Sequence, residues 1–334
     1  MQDPILLSAV SPLCEWYEKN KKHYPWREHR DPYRIWISEV MLQQTRTAAV
    51  IPYYERFLRA FPSVSALASA EDDKLMKLWE GLGYYSRARN LKKGAKEIVE
   101  RFGGALPRTK KELVTVPGIG DYTAGAIASM AFFEPTSAVD GNVLRVCMRL
   151  LGSDADISKD KTKKALAAML DGIYPEGERA ALFTEGLMEL GEAVCIPGEP
   201  RCALCPLQHL CRAKMGGIAH LLPAKSAKKP RRIVPRTLIV FEYGDCFGIR
   251  KRENRGLLAG LYEFFALEEA MDMDALSTYL SDNGFAFSSI TPIGEAVHIF
   301  THLEWHMTGY AVKLSSPAEG LIFARLEEIG RAHV

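Results

Sequence analysis

The stretch CIPGEPRCALCPLQHLC, residues 195–211, holds four of the chain's seven cysteines, and the other three, Cys14, Cys147 and Cys246, are scattered. The spacing is C-x6-C-x2-C-x5-C, with Pro197, Pro200 and Pro206 stiffening the segments between. If the four thiols share a ligand, the path of the whole segment is fixed, which constrains the fold more than any periodicity does. Zinc sites usually place ligands in paired C-x2-C knuckles, and here only Cys202 and Cys205 form one. Small ferredoxins carry C-x2-C-x2-C-x3-C instead. Spacing alone leaves open an iron–sulfur cluster held by all four thiolates, a zinc ion, or an incidental grouping.

Which of these is reasonable depends on the compartment. No stretch approaches the roughly 18 uncharged apolar residues of a membrane span. The opening MQDPILLSAVSPLCEWYEKNKKHYPW has an acidic residue at Asp3 and a break at Pro12, unlike a secretory signal. A cytoplasmic chain with no membrane association is therefore expected, where thiols stay reduced and clustered cysteines indicate metal more often than disulfide. Net charge is only +2, so composition does not by itself point to nucleic acid.

The pattern changes once along the chain. Up to residue 223 it is helical nearly throughout: DPYRIWISEVMLQQTRTAAV opens with Asp31 as an N-cap and Pro32 at the first helical position. Pro52 is expected to start a further helix, and SRARNLKKGAKEIVERFGG ends on glycine. The basic, proline-containing residues 224–236 read as a linker, either a solvated tether or a contact segment. From 237 to 334 short alternating runs take over, such as RTLIVFEYGDCFGIRKR and HIFTHLEWHMTGYAVKL. The expected architecture is an all-α domain, 1–223, followed by an α+β domain, 237–334.

In VPGIGDYTAGAI, residues 116–127, Gly118 and Gly120 permit a tight turn whose backbone N–H groups face outward at the start of the next helix. Such a turn can hold a phosphate without side chains, and read alone it is as easily an ordinary connection between helices. Together, this turn (within a hairpin near 113–128) and the cysteine loop resemble the helix-hairpin-helix DNA glycosylases of the endonuclease III superfamily, whose cysteine loop has the same spacing. Bifunctional members carry a Schiff-base lysine two residues after the G-x-G turn, where this chain has Tyr122. AVDGNVLRV, WISEVMLQQT and GLGYYSRARN are instead similar to the MutY-type adenine DNA glycosylases, from about Pro25 to Cys211.

The resemblance implies one [4Fe–4S] cluster on Cys195, Cys202, Cys205 and Cys211. It also gives two carboxylates separate roles. Glu39 lies mid-helix with Ile35, Trp36 and Leu42 on its face, an apolar setting that raises a carboxyl pKa and suits a general acid. Asp140 precedes GNVLRV, where a helix N-terminus keeps it ionised to face a developing cation. Without the resemblance these would read as a surface glutamate and a plain N-cap. Asn142 is implied to position Asp140, Tyr122 to sit beside the cation, and Trp26, Arg27 and Glu185 to line an adenine pocket. Gln44 and Tyr84 match residues that fill the stack after a base is extruded, and Thr45 and Leu82 their neighbours.

In the second domain GLLAGLYEFF resembles Nudix (MutT-like) domains. The R-E-x-x-E-E helix that holds magnesium in a Nudix hydrolase is missing: Glu268 and Glu269 occur with no preceding Arg-Glu. The family reads 8-oxoguanine through a Phe-Ser-His loop, and this chain has Phe300-Thr301-His302, which could also be a plain strand edge. The implied activity is monofunctional excision of adenine opposite 8-oxoguanine or guanine in duplex DNA, by a monomer. The alternatives are a bifunctional lyase, against which Tyr122 argues, and an iron–sulfur DNA-binding or redox module in which Glu39 and Asp140 would be dispensable.

Overall fold

The computed structural model describes residues 3–227, 230–253 and 255–329. The chain divides into two compact units, Met1–Ser226 and Ala227–Val334. The first is helical: α1 (Pro4–Asn20), α2 (Pro32–Leu42), α3 (Thr47–Ala60), α4 (Val64–Ala68), α5 (Asp72–Trp79), α6 (Ser86–Phe102), α7 (Lys110–Leu113), α8 (Asp121–Phe132), α9 (Gly141–Leu151), α10 (Asp160–Asp171), α11 (Glu178–Ala193) and α12 (Arg212–Met215).

Asp31 caps α2 by accepting from the Arg34 amide at 2.9 Å, with Pro32 at the first position. This helix is not amphipathic: Tyr33 and every residue from Ile35 to Met41 are buried. It packs on α8, α8 and α9 pack on α11, and α11 packs on α1. A core of Leu6, Leu13, Val146, Cys147, Phe183 and Leu187 joins α1, α9 and α11. Gly191 makes the α9–α11 approach possible, since a Cβ there would lie 2.6 Å from the Cβ of Asn142. α3 starts at Thr47, before the expected Pro52, which falls inside it. Burial of Val50, Tyr54 and Phe57 along one stripe carries the helix through the donor that proline lacks.

The second unit is a mixed sheet of β1 (Arg232–Tyr243), β2 (Cys246–Lys251), β3 (Tyr262–Leu267), β4 (Phe287–Ile299), β5 (Leu303–Leu314) and β6 (Ile322–Ala324), with α13 (Met273–Asp282) and the short α14 (Leu326–Ile329). The strand order is β4-β5-β1-β3-β2-β6, with β1 and β5 parallel and the other pairs antiparallel. Leu276 and Leu280 of α13 close the core over Ile239, Phe241, Tyr310 and Val312.

The strand begins earlier than the sequence suggests. Residues 232–236, read as the end of a linker, are the start of β1, with Arg232 opposite Leu303 and Arg236 opposite Met307. Residues 228 and 229 of that stretch lie outside the described residues. Pro235 is tolerated because β3 pairs with β1 only from Thr237 onward. The Arg232 amide points to His302 of the β5 side, so by alternation the nitrogen of Pro235 faces the unpaired side.

Candidate active site

A cleft of about 900 Å³ is lined by residues of α2, α8, α9 and α11. Trp26, Arg27, Glu39, Gln44, Thr45, Tyr122, Asp140, Asn142 and Glu185 all line it. Segments far apart in sequence thus deliver their polar side chains to one concave, mostly apolar surface.

Glu39 is only 6% exposed, so the surface-glutamate reading does not hold. Burial pushes its carboxyl up to about 7 against the opposing pull of a hydrogen bond from Tyr122. The Tyr122 hydroxyl, carried on the first turn of α8, donates to Glu39 Oε2 at 2.5 Å. Burial beside Glu39 and Asp140 drives the Tyr122 phenol well above its ordinary range, so it stays a donor. Glu39 therefore sits at the boundary between acid and base near neutral pH.

Asp140 caps α9: one oxygen accepts from the Val143 amide at 2.7 Å and the other from Asn142 Nδ2 at 2.9 Å. Burial raises its carboxyl, and these donors together with the Arg145 guanidinium oppose that rise. They favour the charged form expected at a helix N-terminus. The network continues, since Arg145 Nη2 donates to Asn142 Oδ1 at 2.8 Å and its Nε to the Cys195 carbonyl at 2.7 Å.

Trp26 is buried in a single helical turn, Pro25–Arg27, stacked on Tyr24 at 5.0 Å between centroids. Arg27 pairs with Glu189 at 2.5 Å, while Glu185 meets Arg30 at 3.4 Å. Glu185 and Glu189 are four apart on α11 and so share a face. Glu189 was not expected from sequence, and neither were Arg145 and Arg149. The available signal was charge at helical spacing on helices that are otherwise apolar.

Gln44 and Tyr84 are exposed, and both adopt positive φ, 58° and 49°. Leu82 is buried at the foot of the second turn, outside the cleft lining. The two turns are joined by the guanidinium of Arg87, a residue the sequence reading passed over. Gly118, at φ +83°, presses against Asn90, and Gly120 caps α8. The first-turn amides of α8 thus follow the G-x-G turn.

The four clustered cysteines line one cavity of about 30 Å³ behind α9 and α11, together with Arg149. Arg149 is 2% exposed and reaches Cys195 Sγ at 3.4 Å and the carbonyls of Ile196, Gly198 and Leu222. Burial pushes the Cys205 thiol up to about 12 and also raises Cys211. Soft donors converging on one cavity beside a buried guanidinium fit an anionic iron–sulfur group. Among the described residues, no three His, Cys, Asp or Glu side chains stand close enough to share a single metal ion.

In the second unit Phe300, Thr301 and His302 form the tip of the β4–β5 hairpin, not a strand edge. The Phe300 amide donates to the Leu303 carbonyl at 2.9 Å, and the ring of Phe300 packs edge-on against Trp305 and His298. Thr301 and His302 are exposed. Glu268 and Glu269 lie in the loop before α13; Glu268 pairs with Arg236 at 2.9 Å. No helix therefore presents them to a metal in the manner of a Nudix hydrolase.

A model of the HhH-GPD superfamily of base excision DNA repair proteins matches residues 37–171, and a NUDIX domain model matches 236–334. A thermostable thymine-DNA glycosylase superposes with a TM-score of 0.58 at 28% identity, covering 64% of this chain and 97% of that one. An endonuclease III solved with DNA gives 0.54 at 26%, covering 63% and 95%. The helical unit is that of a base excision DNA glycosylase. Adenine DNA glycosylases from Homo sapiens and from Buchnera aphidicola of Baizongia pistaciae are 34% and 32% identical. The alignments cover 91% and 87% of this chain, and 67% and 82% of those proteins. The chain belongs to the adenine DNA glycosylase family. No helix among the described residues is long and apolar enough to cross a membrane.

Proposed function

We propose that this enzyme excises adenine paired with 8-oxoguanine or guanine in duplex DNA, acts as a monomer, and is monofunctional. The observation that carries the reading is a buried carboxyl, Glu39, raised to about 7 and held by Tyr122 in the same cleft as the helix-capping carboxylate Asp140. Two carboxylates with divergent environments are what glycosidic-bond hydrolysis requires.

Adenine leaves the stack and enters the cleft against Trp26, with Arg27 and Glu185 offering polar contacts to its edge. Glu39 gives its proton to N7, and the electron pair of the breaking glycosidic bond passes to the base. Asp140, ionised and fixed by Asn142, faces the oxocarbenium-like sugar, and the Tyr122 ring lies beside it. Water then attacks the sugar carbon and yields its proton to Glu39, which restores the acid. Gln44 and Tyr84 fill the vacated stack with Thr45 and Leu82 behind them, and the Gly118–Gly120 turn offers amides to a phosphate. Cys195, Cys202, Cys205 and Cys211 would hold one [4Fe–4S] cluster, which orders the loop because ligation energy becomes folding energy. At the hairpin tip the Thr301 hydroxyl and His302 imidazole read 8-oxoguanine.

The test is incubation with a duplex bearing one A:8-oxoguanine pair, analysed with and without alkali. Strand breaks that appear only after alkali are expected. Breaks without alkali would assign a lyase, and no breaks under either condition would sink the reading.

A further inference from the structure

Arg87, in the first turn of α6, is 7% exposed and has no carboxylate among its hydrogen-bond partners. Nη1 donates to the carbonyls of Val40, Met41 and Gln43 at 2.9, 2.9 and 2.6 Å. Nη2 donates to Thr45 Oγ1 at 3.3 Å and to the carbonyls of Leu82 and Gly83 at 3.2 and 3.0 Å. Burial lowers its pKa to about 10, and its Nε is buried without a partner. A buried cation satisfied wholly by neutral oxygens is costly, so the fold must gain something that a smaller polar residue would not provide.

What it gains is visible in the partners. Val40 and Met41 carry two of the last four carbonyls of α2, which have no intrahelical donor left and lie at the negative end of the helix dipole. Gln43 and Thr45 flank Gln44, and Leu82 and Gly83 precede Tyr84. Gln44 and Tyr84 are both non-glycine residues at positive φ, a conformation that persists only where the surroundings enforce it. The guanidinium carbon also lies 5.3 Å from the Tyr84 ring centroid and 5.4 Å from that of Trp79. Trp79 Nε1 donates to the Gly83 carbonyl at 3.0 Å, a second tether on the same turn.

We infer that Arg87 is the positioning residue for base extrusion: one planar fork locks both turns, so that Gln44 and Tyr84 enter the stack as a unit. This deepens the proposed function and rests on the reading of Gln44 and Tyr84 as the residues that fill the stack. Lysine cannot replace it, because an ammonium concentrates three donors at one point and reaches one turn only.

The experiment uses the full chain with Glu39→Gln added, so that the base is not removed, and a duplex carrying 2-aminopurine in place of the target adenine. The parent should brighten the probe as the base leaves the stack, and Arg87→Lys should lose most of that signal while still binding duplex. With Glu39 intact, Arg87→Lys should lower single-turnover excision at least tenfold (~1.4 kcal/mol) without moving the pH midpoint that reports Glu39. Should Arg87→Lys fail to fold, Trp79→Phe, which cuts only the second tether, should show the same loss of probe signal in smaller measure. An extrusion signal in either folded variant equal to the parent's, or a displaced pH midpoint, would overturn the assignment. If the wild type excises no adenine but the probe signal still depends on Arg87, the excision reading falls and the positioning role stands.

Discussion

Glu39 is a buried carboxyl whose pKa burial raises. Its carboxyl is ionised in the unfolded chain above the ordinary glutamate range but keeps its proton in the fold up to about 7. The folded state therefore binds more protons over that interval, and stability falls as pH rises through it. Glu39→Gln removes the titration, so the variant should gain melting temperature over wild type at pH above 7 and lose that advantage near the unfolded pKa. Thermal melts at the two pH values check this, and an identical difference at both would place the raised carboxyl elsewhere. Asp140→Asn should cost nearly as much excision as Glu39→Gln, because it removes the charge facing the cation while keeping the cap. At this scale Glu39, Tyr122, Asp140 and Asn142 were legible in the sequence, since each sits inside a recognisable motif. Arg87, Arg145, Arg149 and Glu189 were not. A buried charge is readable only through its partners, and each of these four has at least one partner more than forty residues away.

Helices bring those partners together, and small residues decide how closely. Gly191→Ala would place a methyl 2.6 Å from the Cβ and 3.1 Å from the Cα of Asn142. Overpacking of this kind costs about 1–3 kcal/mol, read as a shifted denaturation midpoint. Excision should fall with it, because Asn142 aims Asp140; an unchanged rate in a destabilised variant would show that Asp140 keeps its place through the Val143 amide alone. The sequence announced α2 through Asp31 and Pro32, but it misplaced the starts of α3 and β1. In both cases proline was taken as punctuation, while the fold carries it: Pro52 inside a buried stripe, and Pro235 on an unpaired edge.

At the scale of the whole molecule, composition and periodicity revealed two differently built units, and the structure separates them at Ser226 and Ala227. The hairpin tip that carries Thr301 and His302 could not be told from a strand edge until the β4–β5 register was known. Replacing both by alanine should lower the preference for A:8-oxoguanine over A:G, with about 1–3 kcal/mol at stake per base contact. Thr301→Ser should keep discrimination at or above wild type, and a double alanine variant that still discriminates fully would move recognition to Gln44, Thr45, Leu82 and Tyr84. Protein purified without air should contain about four irons per chain; stoichiometric zinc in active protein would overturn the cluster.

In the proposed reaction a proton held by Glu39 goes to the departing adenine as the glycosidic bond breaks. The most direct test of that transfer is the single-turnover rate of adenine excision opposite 8-oxoguanine, followed across the neutral pH range for wild type and Glu39→Gln. The wild-type rate should fall as pH rises through about 7, the value at which Glu39 loses its proton, and Glu39→Gln should lose all but a trace at every pH. A wild-type rate flat across that range, or a variant keeping more than a tenth of it (a barrier change under ~1.4 kcal/mol), would assign the acid to another residue.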